Sequence, residues 1–209
     1  MLPTIRLFVI GDSISIQYGP YLEEYLPARF LYDRKRDSGT DQAAANLDVP
    51  VGANGGDSRM VLAYLQNRRA SSPIQADVLL LNCGLHDIKT DPASGARQVA
   101  PEAYEANLHA IREEARRSGW RLIWVRTTPV IDEVHNQPHV SFRRHAADVA
   151  LYNGIADRVM AEAGVPTIDL HAFSEKFLPK GFCDHVHYTE TVRALQGAFI
   201  AGWLDGLNP

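Results

Sequence analysis

Short apolar runs alternate along the chain with longer segments whose apolar positions recur every three or four residues. Ile5 to Ile10 is apolar except for Arg6 and stops at Gly11, the profile of a strand buried on both faces. Ser15 to Arg29 puts Tyr18, Leu22, Tyr25 and Leu26 on one helical face; Gly19 and Pro20 weaken its first turns and Pro27 sits near its end. Leu31 to Asn46 is polar, charged and rich in Asp and Ala, which predicts a long loop with at most a turn of helix. A second strand is predicted over Leu47 to Ala53, running into the turn signal Asn54-Gly55-Gly56. Ser58 to Arg69 suits a helix, with Met60, Leu62, Tyr64 and Leu65 as its apolar positions. Asp77 to Cys83 is the clearest strand. Pro101 to Ser118 is the clearest helix, with Pro101 at its start, Glu102 and Glu105 in its first turns and Gly119 just past its end. Trp120 to Thr127 is a fourth strand closed by Pro129. Val130 to His145 reads as a polar insertion, Ala146 to Ala163 as a helix stopped by Gly164, Pro166 to Leu170 as a short fifth strand and Thr189 to Leu204 as the last helix.

Five strands, each followed by a helix, predict an α/β class fold: a doubly wound three-layer α/β/α sandwich on a five-stranded parallel sheet, as one domain over residues 1–209. Right-handed crossovers would then place the strand C-termini, and any site, along one edge.

Composition narrows the classes of partner. The 209 residues are 45% hydrophobic and 22% charged, the balance of an ordinary globule. The net charge of −4 with both signs interspersed gives no basic face for nucleic acid. No apolar run approaches the roughly 20 residues of a membrane span. The start of the chain lacks the features of a secretory signal, so a cytoplasmic location is expected. Cys83 and Cys183 match no zinc or redox spacing and read as two thiols in a reducing compartment; each also precedes a segment of interest below, so they are candidates for spatial neighbours.

Chemistry gathers at the predicted strand ends. Gly11-Asp12-Ser13 follows the first strand, Gly55-Gly56-Asp57-Ser58 the second and Gly84-Leu85-His86-Asp87 the third; Asp184-His185-Val186-His187 precedes the last helix. One sheet edge would thus hold a serine, an Asp-x-x-His pair and two glycine turns. Acyl transfer uses these parts: a nucleophile, a base, a carboxylate to orient the base, and N–H donors for an oxyanion. The spacing of Asp184 and His187 suits two side chains facing the same way on a helical turn.

In block order, over nearly its whole length, the chain resembles the SGNH (GDSL-type) hydrolases. The resemblance implies Ser13 as nucleophile, His187 as general base and Asp184 as the group that orients it. It also implies an oxyanion hole built from the backbone N–H groups of Ser13 and Gly56 and a side chain of the third block. There the sequence departs from the family, whose Gly-x-Asn-Asp has His86 at the position of the asparagine. A neutral imidazole offers one N–H, and a protonated one adds a charge. No cofactor is expected.

Other polar residues have two readings each. Asp12 and Asp87 are expected to cap loop N–H groups. Arg59 and Arg126 either clamp an anionic substrate group or make ion pairs, and Asn54 either braces its turn or reaches substrate. His135, His139 and His145 lack a ligand spacing, so a polar loop walling the pocket is expected and no metal site. Trp124 reads as core, Phe142 as a residue of the pocket wall, and Tyr188 as either core or ligand contact. The activity implied is a serine ester hydrolase acting on a small-molecule or carbohydrate ester. Its polar loops favour deacetylation over the alternatives: a lysophospholipase or thioesterase for longer chains, an acyltransferase, or a non-catalytic carbohydrate-binding module.

Overall fold

A computed structural model describes residues 3–37 and 47–207. Five parallel strands form the sheet: β1 (Ile5–Ile10), β2 (Phe30–Arg34), β3 (Val78–Leu81), β4 (Arg121–Val125) and β5 (Thr167–Ile168). Their spatial order is β2-β1-β3-β4-β5. The helices are α1 (Ser13–Tyr25), α2 (Ser58–Ser71), α3 (Pro101–Arg117), α4 (Asp132–His135), α5 (Ala146–Ala161), α6 (Leu170–Glu175) and α7 (Glu190–Asp205). Helix α1 packs on α7, which also meets α6, while α2 packs on α3 and α3 on α5. The sheet lies between these two groups, as expected of an α/β/α sandwich. Its central strands are apolar on both faces: Leu7 to Ile10, Val78 to Leu81 and Leu122 to Val125 are all buried. Each such Leu, Ile or Val contributes about 1.5–3 kcal/mol by leaving water.

The strand order reverses beside β1, with β2 on one side and β3 on the other. In open parallel sheets the crevice at such a reversal, beyond the strand C-termini, is where ligands sit. The loops after β1 and β3 carry Ser13 and His86.

One strand is not where the pattern placed it. The predicted strand over Leu47 to Ala53 is irregular; only a single parallel bridge, Asn54 to Gly11, follows it, and the second strand is instead Phe30–Arg34, whose last four residues fall in the segment expected to be a loop. Pro50 lacks a donor, and Gly52 takes a left-handed φ of 58°, so neither continues a ladder. β2 is an edge strand with only Phe30 fully buried, so its charged outer positions hide its two-residue alternation. The rest of the segment read as a loop, residues 38–46, lies outside the described residues. The polar insertion Val130 to His145 holds the short helix α4 and is not all surface, since His135 and Arg144 are buried within it.

Candidate active site

Helix α1 begins at the first turn after β1 because Asp12 caps it, its Oδ1 accepting from the backbone N–H of Ile14 at 2.9 Å. Ser13 is thereby the first helical residue, with its own N–H at the positive end of the helix dipole. Gly11 lets the turn close, since a Cβ there would lie 2.7 Å from that of Ser15.

His187 Nε2 lies 2.9 Å from Ser13 Oγ, and its Nδ1 lies 2.7 Å from Asp184 Oδ2. With the Nδ1 proton donated to the carboxylate, Nε2 presents a lone pair to the serine hydroxyl. Asp184 Oδ1 accepts from the backbone N–H groups of Val186 (2.8 Å) and His187 (2.7 Å). Burial alone would raise the Asp184 pKa, but the hydrogen bonds from His187 and from these two amides outweigh it and hold the group well below the usual carboxylate range. The pair does not sit on a helical turn, as its spacing suggested. It lies in a loop closed by an antiparallel bridge between Phe182 and Tyr188 and by the Cys183 N–H donating to His187 O; the Asp184 carboxylate itself bends the loop back.

Gly56, on a left-handed φ of 71°, is also at this edge; Gly55 donates to Gly11 O at 2.8 Å and ties the two loops together. The Gly56 N–H, however, donates to Asn54 Oδ1 at 2.9 Å, so the donor assigned to the oxyanion is engaged within its own turn. Asn54, fully buried, also donates to Leu47 O. Its bracing role is the one the structure displays.

His86 is 1% exposed. Burial, with Lys89 and Arg144 nearby, holds its pKa well below the ordinary histidine range, so the ring is neutral and offers a single N–H. Its Nδ1 is buried without a hydrogen-bond partner. Gly84 allows the backbone to pass Thr127: a Cβ there would sit 2.3 Å from Thr127 Oγ1. Asp87, next to His86, accepts from the N–H and the hydroxyl of Ser58 at the start of α2. Burial pushes its pKa up to about 7. Capping thus accounts for Asp12 and Asp87, the latter across 29 residues of chain.

Three tentative substrate contacts are not brought to the site as free groups. Arg126 is taken by Asp157 (3.1 Å) and Asp169 (3.0 Å). Arg59 turns back onto Asp57, the cap of its own helix, at 2.7 Å. Tyr188 is 0% exposed and packs its ring against Phe182 within the core, as does Trp124 within its strand. The neighbours of a catalytic histidine in sequence need not be neighbours of its ligand: alternate residues of an extended loop point opposite ways. Of the insertion's histidines, His145 pairs with Asp132 at 2.7 Å, while His135 turns inward to His185 O at 3.4 Å. Both cysteines are free, Cys83 buried and Cys183 exposed.

What the sequence hid is a wall of nitrogen groups beside the hydrogen-bonded line of Ser13, His187 and Asp184. The His185 ring stands 5.8 Å from that of His187 and 4.8 Å from that of His135, and its Nε2 is 3.5 Å from Asp48 Oδ2. Arg144, 2% exposed, donates through Nε to Leu85 O at 2.6 Å, one residue before His86. Nothing in Arg143-Arg144-His145 marks the middle residue as the buried one; Arg143 instead braces loop carbonyls such as Val140 O.

A family model, the GDSL-like lipase/acylhydrolase family, matches residues 9–194. No curated protein matches the chain. Among solved structures it is similar to a lipase/acylhydrolase from Enterococcus faecalis, 17% identical over 97% of this chain and 96% of that one, with a TM-score of 0.67. It is similar also to Est24, a carbohydrate acetylesterase from Sinorhizobium meliloti (14% identity, 98% and 100% coverage, TM-score 0.67), and to the acetyl xylan esterase AlAXEase (16%, 97% and 100%, 0.64). Likeness at that identity speaks for the fold; the family model, spanning most of the sequence, places the chain among the carboxylic ester hydrolases. By that match the chain belongs to the GDSL-like lipase/acylhydrolase family.

Proposed function

We propose that the protein is a serine esterase that removes acetyl groups from a carbohydrate or another small polar ester. The observation that carries the reading is the hydrogen-bonded line from Ser13 Oγ through His187 to Asp184. Ser13 Oγ attacks the ester carbonyl as His187 Nε2 takes its proton, and Asp184 stabilises the imidazolium that results. The tetrahedral oxyanion is held by the Ser13 N–H and the His86 N–H; the Gly56 N–H joins them by sharing its hydrogen with Asn54. His187 then protonates the leaving alcohol, the acyl-serine forms, and water activated by the same ring releases the acid.

Support for a small acyl group comes from enclosure: Ser13 is 5% and His187 3% exposed, and the polar side chains of Asp184 and His185 flank the imidazole. Two of the similar structures are a carbohydrate acetylesterase and an acetyl xylan esterase by their names. A 4-nitrophenyl ester series tests the reading, with the acetate expected to exceed the octanoate in kcat/KM. A preference for octanoate turns the assignment to a lipase or thioesterase. A fluorophosphonate is expected to label Ser13; an unlabelled, inactive protein would be a binding module.

A further inference from the structure

Arg144 is the arginine most deeply buried among the described residues, and it is paired differently from four that are more exposed. Arg59, Arg69, Arg97 and Arg126 each meet a carboxylate at 2.6 to 3.0 Å. Among the described residues no carboxylate comes within ion-pair distance of Arg144. Its guanidinium rests 4.8 Å from the Phe142 ring centroid, bonds one neutral carbonyl through Nε, and leaves Nη1 buried with no acceptor. Removing a cation from water without an anion costs several kcal/mol. The chain nevertheless fixes it firmly, since the Arg144 N–H and C=O are both bonded by the Asn136 side chain.

A second cation shares the same ring. Lys89 Nζ lies 4.4 Å from the Phe142 centroid and donates to Asp48 O at 3.0 Å, again a carbonyl. Lys89 and Phe142 line an open groove of about 390 Å³ with Thr90, Asp91, Gln98 and Ser141, where the Asp91 carboxylate accepts from the backbone N–H groups of Ala93 and Ser94. The carboxylates whose charge reaches Arg144 have other partners: Asp12 caps α1, Asp184 holds His187, and Asp48 faces His185. Arg144 thus lies within electrostatic reach of Asp184 and of His86 while, among the described residues, no carboxylate bonds it.

We propose that Arg144, with Lys89 as its second cation, is an anion-binding subsite beside Ser13, and that the preferred ester carries a carboxylate or phosphate group close to the bond that is cut. The inference deepens the esterase reading and rests on it for the word ester. A guanidinium fork with an unused N–H is shaped for such an oxyanion group, and the low polarity around it strengthens the bond. Burial and the charge of Arg144 lower the Lys89 pKa to about 8.

The test uses matched ester pairs. The 4-nitrophenyl monoester of succinate is set against its methyl-capped form, with the anion on the acyl side. Acetyl esters of 4-hydroxybenzoate and of 4-hydroxyphenyl phosphate are set against that of 4-hydroxybenzamide, with the anion on the alcohol side. Wild type is expected to favour at least one anionic member by about tenfold or more in kcat/KM. Arg144→Gln brings that ratio near one, and Lys89→Met narrows it. No anionic preference in any pair, or a ratio that survives Arg144→Gln, overturns the proposal. A reading independent of turnover uses Ser13→Ala: millimolar inorganic phosphate is expected to raise its Tm over chloride at equal ionic strength, and Ser13→Ala with Arg144→Gln to lose the rise. No rise in the Ser13→Ala protein overturns the subsite. A rise in a protein whose serine a fluorophosphonate leaves unlabelled sinks the esterase reading and keeps the subsite.

Discussion

Asp12 and Asp184 do one job at opposite ends of the chain: each turns a carboxylate back onto backbone N–H groups two or three residues on, and so fixes the side chain that follows, Ser13 in one case and His187 in the other. On the other side of the same edge, His86 is held by burial, Arg144 by burial and a single side-chain bond to Leu85 O, and each keeps a buried nitrogen without a hydrogen-bond partner. The first pair is locally satisfied, and the second pair is not. Buried polar atoms in folded proteins are almost all hydrogen-bonded, so an exception beside Ser13 and His187 is a place where a ligand or transition state can complete the set. On the proposed reading, the difference separates the groups that move the proton and attack the ester from those that meet negative charge, the oxyanion at His86 and a substrate anion at Arg144.

Deleting a member of the satisfied side should cost most. Ser13→Ala is expected to lower kcat by about 10⁴-fold or more and to abolish fluorophosphonate labelling, while leaving Tm close to wild type. Asp184→Asn keeps the loop but presents the wrong tautomer of His187, for a loss of about 10⁴. Wild-type-like turnover in either variant would remove that residue from the mechanism.

On the unsatisfied side, His86→Ala should lower kcat by about a hundredfold or more, the typical cost of an oxyanion donor of roughly 2.7–4 kcal/mol, and His86→Asn should keep most of the rate. Equal rates for the alanine and wild-type proteins would take His86 out of the oxyanion hole. Gly84→Ala tests the same loop through its backbone. The new methyl has to displace Thr127, whose hydroxyl donates to Cys83 O, so a loss of about 1–3 kcal/mol is expected, lowering Tm by about 2–4 °C for each kcal/mol. An unchanged Tm would mean that Thr127 swings aside freely.

The same contrast governs what was legible in the sequence. Ser13, Asp184 and His187 are legible because Gly11-Asp12-Ser13 and the Asp-x-x-His pair are local motifs whose order along the chain resembles that of a known family, and the structure joins them by hydrogen bonds. The apolar strands were found because burial on both faces leaves a continuous run. β2 was missed because an edge strand buries little: Phe30 carries its anchor while Asp33 and Arg34 carry its charge. Arg126 and Arg59 were raised as clamps because a sequence shows a cation but not the carboxylates that Asp157, Asp169 and Asp57 bring to it across space. Arg144 was missed for the converse reason. A buried cation in a polar insertion looks like any surface arginine until the fold shows the missing partner.

The smallest effect expected sharpens the comparison in solution. Burial, reinforced by Arg144 and His185, lowers the His135 pKa from the ordinary 6.5 to about 3, and His86 is displaced in the same direction. The sign follows from proton uptake. A depressed folded-state pKa gives stability that is complete above pH 6.5 and is lost as pH falls toward the folded value, because the unfolded chain binds the proton that the native ring refuses. Asp87 works the other way: with its pKa raised to about 7, its contribution is present below the ordinary 3.8 and declines as pH rises through 7. The total slope mixes these opposing groups, so the difference between two proteins is the clean quantity. His135→Gln can keep a donor to His185 O but cannot titrate. Between pH 6.5 and pH 4 its urea-unfolding free energy should therefore fall less steeply than that of wild type, by up to about 1.4 kcal/mol per pH unit. Parallel slopes would mean that His135 already accepts a proton in the native state. The unsatisfied wall would then be less firmly closed to charge than the satisfied loops beside it.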